Sequence, residues 1–303
     1  MNPCPNPPAS GKTPGAKRST GLALIAVLWI VAALSIMVTG MIHTVRQQTG
    51  IAVGAREQLS GQALAEAAAA LVLQDMLSNS TRLSGAESTT VSYGGVQMEV
   101  EAAPLNGWIA LNGANAVLLA ALLQNAGGLD PGHAQALADA IVEWRDTVPQ
   151  IDPTASGGAP AQQRRFEATE DLLLVPGMDY PLYSRIAPLV SADFPSGPLV
   201  NLHAAPPEVL SVLAQGDMGR VAQYVARRAD GEPGDASGFS NASARAGDPG
   251  VYRLRVKVPL DAGKILLLTS DVASAANTPG AAPWRVLRTE RQMTVSPSSA
   301  AAH

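Results

Sequence analysis

Few residues in this 303-residue chain are of types that do chemistry, and their spacing does not gather them. The four histidines, His43, His133, His203 and His303, are scattered, and His303 is the last residue. Cys4 is the single cysteine, so it can form neither an internal disulfide nor a Cys/His pair with a neighbour at a metal-ligand spacing. No apolar stretch precedes Cys4, which excludes a lipobox. The Ser-rich stretches Ser237–Ala246 and Ser296–Ala302 read as loop and tail. No nucleophile, base and orienting group come together, so no catalytic residue and no metal ligand is assigned and an enzyme is not expected.

Nucleic acid is a poor partner on charge. Hydrophobic residues make up 47% and charged ones 15%, with a formal net charge of −4. Without Met1–Gly21, which holds Lys12, Lys17 and Arg18 and no acid, 18 basic residues face 25 acidic ones. Such a body gains nothing from releasing counterions on a phosphate backbone. One stretch, Asp171–Val190, resembles a helix-hairpin-helix unit, but its hairpin has a single glycine, Gly177, followed by Met178-Asp179-Tyr180. Asp179 would repel a phosphate where hairpin N–H groups would hold one. The unit reads as packing, with Leu172, Leu173, Val175, Ile186 and Leu189 in the core.

The elements that would position any site begin with an apolar run. Met1–Gly21, rich in Pro, Gly, Ser and Lys, is expected to be disordered. Leu22–Ile42 carries no charged side chain and as a helix is roughly 30 Å long, about the thickness of bilayer hydrocarbon. Basic residues precede it and no acid does, which predicts a cytoplasmic N-terminus with the remainder exported. The run is longer than the h-region of a secretory signal, and Ala32-Ala33-Leu34-Ser35 is a poor cleavage site inside it. An ordinary signal anchor is the competing reading. Lys17-Arg18-Ser19-Thr20-Gly21 meeting Leu22 directly resembles a type III, prepilin-type leader. A cut after Gly21 suits such a site, since a residue without Cβ lies extended in a narrow cleft. The helix is predicted to continue over His43–Leu77, with Gly40, Gly50, Gly54 and Gly61 weakening it.

Beyond the helix, Thr89–Ala103 alternates around Gly94-Gly95 and predicts a hairpin. Val251–Val258, Lys264–Asp271 and Trp284–Val295 read as strands. Between these groups, Asn115–Gln124, Pro131–Asp146, Arg165–Leu174, Pro181–Val190 and Pro206–Ala214 read as helices. The order predicts an α+β fold: a long N-terminal helix packed on a small antiparallel sheet that a large α-helical insert interrupts. Trp108–Ala114 followed by Val117–Leu123 echoes Leu199–Ala205 followed by Val209–Leu213, as two related helical subdomains would, or chance in an Ala/Leu-rich chain.

The ordered blocks Gly21–Trp29, Arg46 and the Ala-rich helix, Ala140–Asp146, Glu170–Met178 and Val200–Leu210 resemble protein K of the type II (general) secretion pathway, a minor pseudopilin family. The resemblance implies cleavage between Gly21 and Leu22 and N-methylation of Leu22. Most pilins carry glutamate as the fifth mature residue; here it is Ala26, as in the K type, proposed to sit at the tip with no subunit ahead to neutralise a buried carboxylate. The organisation implied is a leader over 1–21, a transmembrane segment over 22–42 and its periplasmic continuation over 43–80. The sheet then comprises 88–103 and 250–295, the insert 104–249, and a disordered tail 296–303. The implied function is priming of a pseudopilus for export across the outer membrane. The partners are I- and J-type minor pseudopilins, the major pseudopilin and the inner-membrane platform. The location is the inner membrane, single-pass, with the bulk periplasmic. A minor pilin-like component of a type IV pilus or DNA-uptake machine is the alternative. The family also associates calcium with the loop after its Trp-containing helix, here Asp146–Ala161. That loop holds only Asp146 and Asp152, with Glu167, Glu170 and Asp171 following, thin for six to eight oxygens. No cofactor is therefore assigned, and calcium stays an open alternative without named ligands.

Overall fold

The computed structural model describes residues 20–79, 83–146, 165–193, 197–231, 234–243, 249–274 and 282–295, with the side chains of 20–23, 36, 38–53 and 262 excepted. Most of the leader, most of the Asp146–Ala161 loop and the tail therefore lie outside the described residues. Two compact units divide the chain, Met1–Glu57 and Gln58–His303.

The first unit is built on helix α1, Thr20–Ser78, whose last turns belong to the second unit. Among the described residues no helix is long and apolar enough to cross a membrane. Many side chains of the expected span Leu22–Ile42 fall outside that description.

In the second unit, β1 (Glu87–Tyr93), β2 (Val96–Pro104), β7 (Val251–Pro259), β8 (Lys264–Ser274) and β9 (Trp284–Val295) form one antiparallel sheet in the order β1-β2-β7-β8-β9. Gly94 and Gly95, both at positive φ, make the β1–β2 turn. Such a two-residue turn with both φ positive twists with the strands instead of splaying them. Alternation then sorts the faces. Tyr252, Leu254, Val256 and Val258 of β7 are buried with Leu266, Leu268 and Val272 of β8 and with Ala65, Ala68, Leu73 and Met76 of α1. Burying each of the larger side chains contributes roughly 1.5–3 kcal/mol. Arg253, Arg255 and Lys257 point to the opposite face. Gly61 lets α1 approach the sheet: a Cβ there would lie 2.8 Å from Leu260 Cδ2.

Since β2 pairs directly with β7, the chain leaves the sheet after Pro104 and returns at Val251, and the helical insert lies between. It contains α2 (Ala116–Asn125), α3 (Pro131–Asp146), α4 (Tyr180–Ile186), α5 (Pro207–Leu213) and α6 (Met218–Ala229) around their own core. Asn115, Asp179 and Asp217 cap α2, α4 and α6 by accepting from the N–H groups of Leu118, Leu182 and Arg220. Two expectations are corrected. Arg165–Leu174 is a short 3-10 segment, Thr169–Leu174, because Asp171 ties back to the N–H groups of Glu167 and Ala168 and closes a tight turn. Leu173, expected in the core, is 39% exposed, while Leu172 beside it is fully buried. The 3-10 segment turns only one of its leucines inward.

The two halves of the insert repeat one hydrogen-bonding scheme. Short strands β3 (Ile109–Ala110) and β5 (Val200–Asn201) pair in parallel with β4 (Val190–Ser191) and β6 (Ala242–Ser243). Leu111 N–H donates to Ser191 O, and Leu202 N–H to Ser243 O. The following turns close through Ala114 N–H to Ala110 O and Ala205 N–H to Asn201 O. An arginine from each second helix then ties the turn's carbonyls. Arg145 Nη1 donates to Leu111 O (3.0 Å) and Ala114 O (2.9 Å). Arg228 Nη1 donates to Leu202 O (3.2 Å) and Ala205 O (2.8 Å). Burial pulls the Arg228 guanidinium below its ordinary value, and Tyr224 opposes that shift.

Candidate functional site

Two regions stand out. The first is the start of α1. Gly21 and Leu22, the expected cleavage pair, lie in its first turn, and their side chains fall outside the described residues. Downstream, Val27, Leu28, Trp29 and Ile30 are consecutive and 59–72% exposed. Four successive residues sample all sides of a helix at about 100° each, so the apolar surface runs right round it. Ala26 is exposed within this surface and brings no charge to it. A helix apolar all round needs apolar surroundings, either hydrocarbon or other helices.

The second region lies within the second unit, where the insert meets the charged face of the sheet. Trp108, just after β2, is 2% exposed in the insert core, and its Nε1–H donates to Pro188 O at 3.2 Å. Arg253 lies over the Trp108 ring at 4.5 Å and Arg255 at 5.4 Å. Arg253 is held in turn by Asp271. From β9, Arg288 donates to Thr169 Oγ1 and, at 2.7 Å, to Glu170 Oε1. These contacts frame a cleft of about 950 Å³ between sheet and insert, with Leu173 and Tyr180 on the insert wall.

Titratable groups in and beside the cleft act on one another. Burial holds Asp193 above the usual carboxylate value; Asp271 and Glu170 add to that, while Arg288 and Arg253 oppose it. For Glu170 burial also pushes upward, but a backbone hydrogen bond, the Arg288 charge and bonds from Thr169 and Tyr183 outweigh it and lower the value. Each cation on the floor faces a carboxylate, Lys257 with Glu99 at 3.1 Å and Arg255 with Glu101 at 4.0 Å. The arrangement fastens one layer to another.

Three of the acids singled out from sequence have separate partners. Asp171 accepts from Glu167 and Ala168 N–H groups, Glu170 pairs with Arg288, and Asp146 pairs with Arg145 at 2.9 Å. Asp152 lies outside the described residues. Among the described residues no three His, Cys, Asp or Glu side chains gather as a metal site. Asp179 fills the N-terminus of α4, the place a phosphate would occupy in a nucleic-acid-binding hairpin. His133 bonds to Asp130, and the His203 ring lies 6.4 Å from that of Tyr224. His43, His303 and Cys4 fall outside the described side chains.

Sequence reasoning missed α6, Arg145, Arg228 and the role of Trp108. The signal for α6 was present: Asp217 as cap, then Val221, Tyr224, Val225 and Arg228 at helical spacing. Nothing local marks the arginines, whose acceptors are 23 to 34 residues away in sequence.

Comparison with known proteins gives the following. Residues 108–194 match the family model of type II secretion system (T2SS) protein K. No curated protein matches the sequence. A chain of the crystal structure of the GspK-GspI-GspJ complex from the enterotoxigenic Escherichia coli type 2 secretion system superposes with a TM-score of 0.46 at 16% identity. The superposition covers 82% of this chain and 98% of that one.

Proposed function

We propose, from the domain of type II secretion system protein K that the chain carries at residues 108–194, that it is a minor pseudopilin of that system. The family match carries this reading. The surface of α1 over Val27–Ile30 supports it, since an uncharged stretch apolar on every side suits a subunit that waits in lipid and then bundles with similar helices. In this reading a prepilin peptidase cuts after Gly21, the Leu22 amine is methylated, and the helix from Leu22 to Ile42 holds the subunit in the inner membrane with its bulk in the periplasm. I- and J-type minor pseudopilins join it at the tip of the pseudopilus, and the major pseudopilin and inner-membrane platform extend the filament below. Ala26, lacking a carboxylate, suits a subunit with none ahead of it, and the insert supplies the bulk that stops addition above it. Assembly primed in this way serves export across the outer membrane.

N-terminal sequencing of the mature protein from the cell envelope, together with co-purification of I- and J-type subunits, tests the reading. Methylated Leu22 as first residue and recovery of both partners are expected. An intact leader, a cut elsewhere, or failure of both partners to co-purify would overturn it.

A further inference from the structure

The charged groups that meet where the insert rests on the sheet do not balance. Two guanidiniums come from the sheet, Arg253 of β7 and Arg288 of β9. Each is engaged by one carboxylate. Asp271 of β8 holds Arg253 through two bonds of 2.7 Å, and Glu170 of the insert holds Arg288 at 2.7 Å. Asp193, just beyond β4, is a third carboxylate beside them, facing Asp271 and Glu170 with like charge and Arg288 and Arg253 with opposite charge. It is half-buried, and among the described residues neither a hydrogen bond nor an ion pair engages its carboxylate. Three carboxylates thus share two guanidiniums, and Asp193 is the odd one.

Backbone bonds fix its place. Asp193 N–H donates to Ser191 Oγ at 3.2 Å, and Ala192 O accepts from Asn112 Nδ2 at 3.0 Å. Ser191 pairs with Ala110 in the β3–β4 ladder. That ladder begins one residue after Trp108, the ring on which Arg253 lies. Asp193 is therefore carried by the same strand pair that presses the insert onto the sheet.

We infer that Asp193 is the proton-accepting element of a lock between insert and sheet, seated when Asp193 is neutral and loosened when it is ionised. With Asp193 protonated, each guanidinium is left to one carboxylate and the charges balance. With Asp193 ionised, the surplus carboxylate repels Asp271 and Glu170 across the joint. Burial first, then Asp271, hold the Asp193 proton above the usual carboxylate value. The seated form is full below the unfolded pKa and is lost as pH rises through the raised folded one. Glu170 is held below its ordinary value, since a backbone hydrogen bond and the Arg288 charge outweigh its burial. Glu170 thus stays ionised, and its bond to Arg288 stays made, while Asp193 takes up its proton. The inference does not depend on the function proposed above.

Hydrogen exchange of the full chain between about pH 4 and pH 7 tests this at two reporters in the joint. These are the Trp108 indole N–H, bonded to Pro188 O, and the Leu111 amide, bonded to Ser191 O. Corrected for the intrinsic effect of pH, both are expected to exchange roughly threefold slower at the acid end. The Leu202 amide, bonded to Ser243 O in the other half of the insert, is expected to stay level. D193N is expected to keep exchange slow across the range. E170Q leaves two carboxylates for two guanidiniums, so the transition is expected to move to lower pH. Near-UV circular dichroism shows that both variants fold. A D193N profile parallel to wild type, an equal response at Leu202, or an unmoved transition in E170Q overturns the lock. None of these outcomes bears on the pseudopilin reading.

Discussion

Arg253 and Asp271 face each other across β7 and β8 in a two-point ion pair, Nε to Oδ1 and Nη2 to Oδ2, both at 2.7 Å. Arg253 is 9% exposed and Asp271 2%, so solvent screens the pair little. Trp108 stacks on the guanidinium from the insert side, and the pair therefore holds two layers at once. Removing one partner strands a buried charge, whereas removing both does not. Asp271→Ala is expected to cost about 3–5 kcal/mol. Arg253→Met with Asp271→Leu is expected to cost much less. Urea unfolding of the full chain, followed by tryptophan fluorescence, checks the order; equal losses in the two variants would sink this account.

Asp193 predicts a pH dependence. Burial and the neighbouring Asp271 raise its folded value above the ordinary carboxylate value. The folded chain therefore holds this proton more tightly than the unfolded one. The favourable contribution is full below the unfolded pKa and is lost as pH rises from there through the raised folded pKa. Asp193→Asn is expected to flatten that part of the stability–pH curve and to raise stability at neutral pH. Thermal unfolding across pH 3–7, wild type against variant, reads it; parallel curves would refute the assignment.

Gly107 brings the end of β2 against the turn after β5. A Cβ there would lie 2.5 Å from the carbonyl carbon of Ala204 and 2.6 Å from its oxygen. Backbone cannot swing aside as a side-chain tip can, so Gly107→Ala is expected to destabilise by about 1–3 kcal/mol. Gly95→Ala, with no neighbour within 4 Å but a positive φ, should cost less, about 1 kcal/mol. Chemical unfolding midpoints of the two variants are the comparison.

The repeated arginine caps allow a paired test. Arg228→Ala leaves carbonyls of Leu202, His203 and Ala205 without that donor, and Arg145→Ala those of Leu111 and Ala114. Each is expected to lose about 1–3 kcal/mol, and lysine, one bond shorter but with three rotatable donors, to recover part of it. Amide exchange at Leu111 and Leu202 separates the two: each variant should speed exchange only in its own turn.

Much of the sheet was legible because its cues are local. Alternation in Val251–Val258 separates Leu254 and Val256 from Arg253 and Arg255 whatever lies nearby, and Gly94-Gly95 marks a turn between two alternating runs. A helix start was legible where a short polar side chain bonds three residues ahead, as at Asn115. The echo between Trp108–Ala114 and Leu199–Ala205 was visible as residue types, but its content lies in the hydrogen bonds that Arg145 and Arg228 complete. Leu173 was misplaced because a 3-10 turn and an α-helix bury different neighbours from the same run of leucines.

The sequence by itself determined the uncharged run Leu22–Ile42, the strand faces and the interruption of sheet by helices, since each depends on residues within a few positions of one another. Tertiary structure alone decided that Arg253 would meet both Asp271 and Trp108, that Arg288 would reach Glu170, and that β9 would stand at the edge with Val286 and Met293 uncovered. Those relations join residues far apart in the chain, and no local propensity specifies a partner that only the folded topology brings within reach.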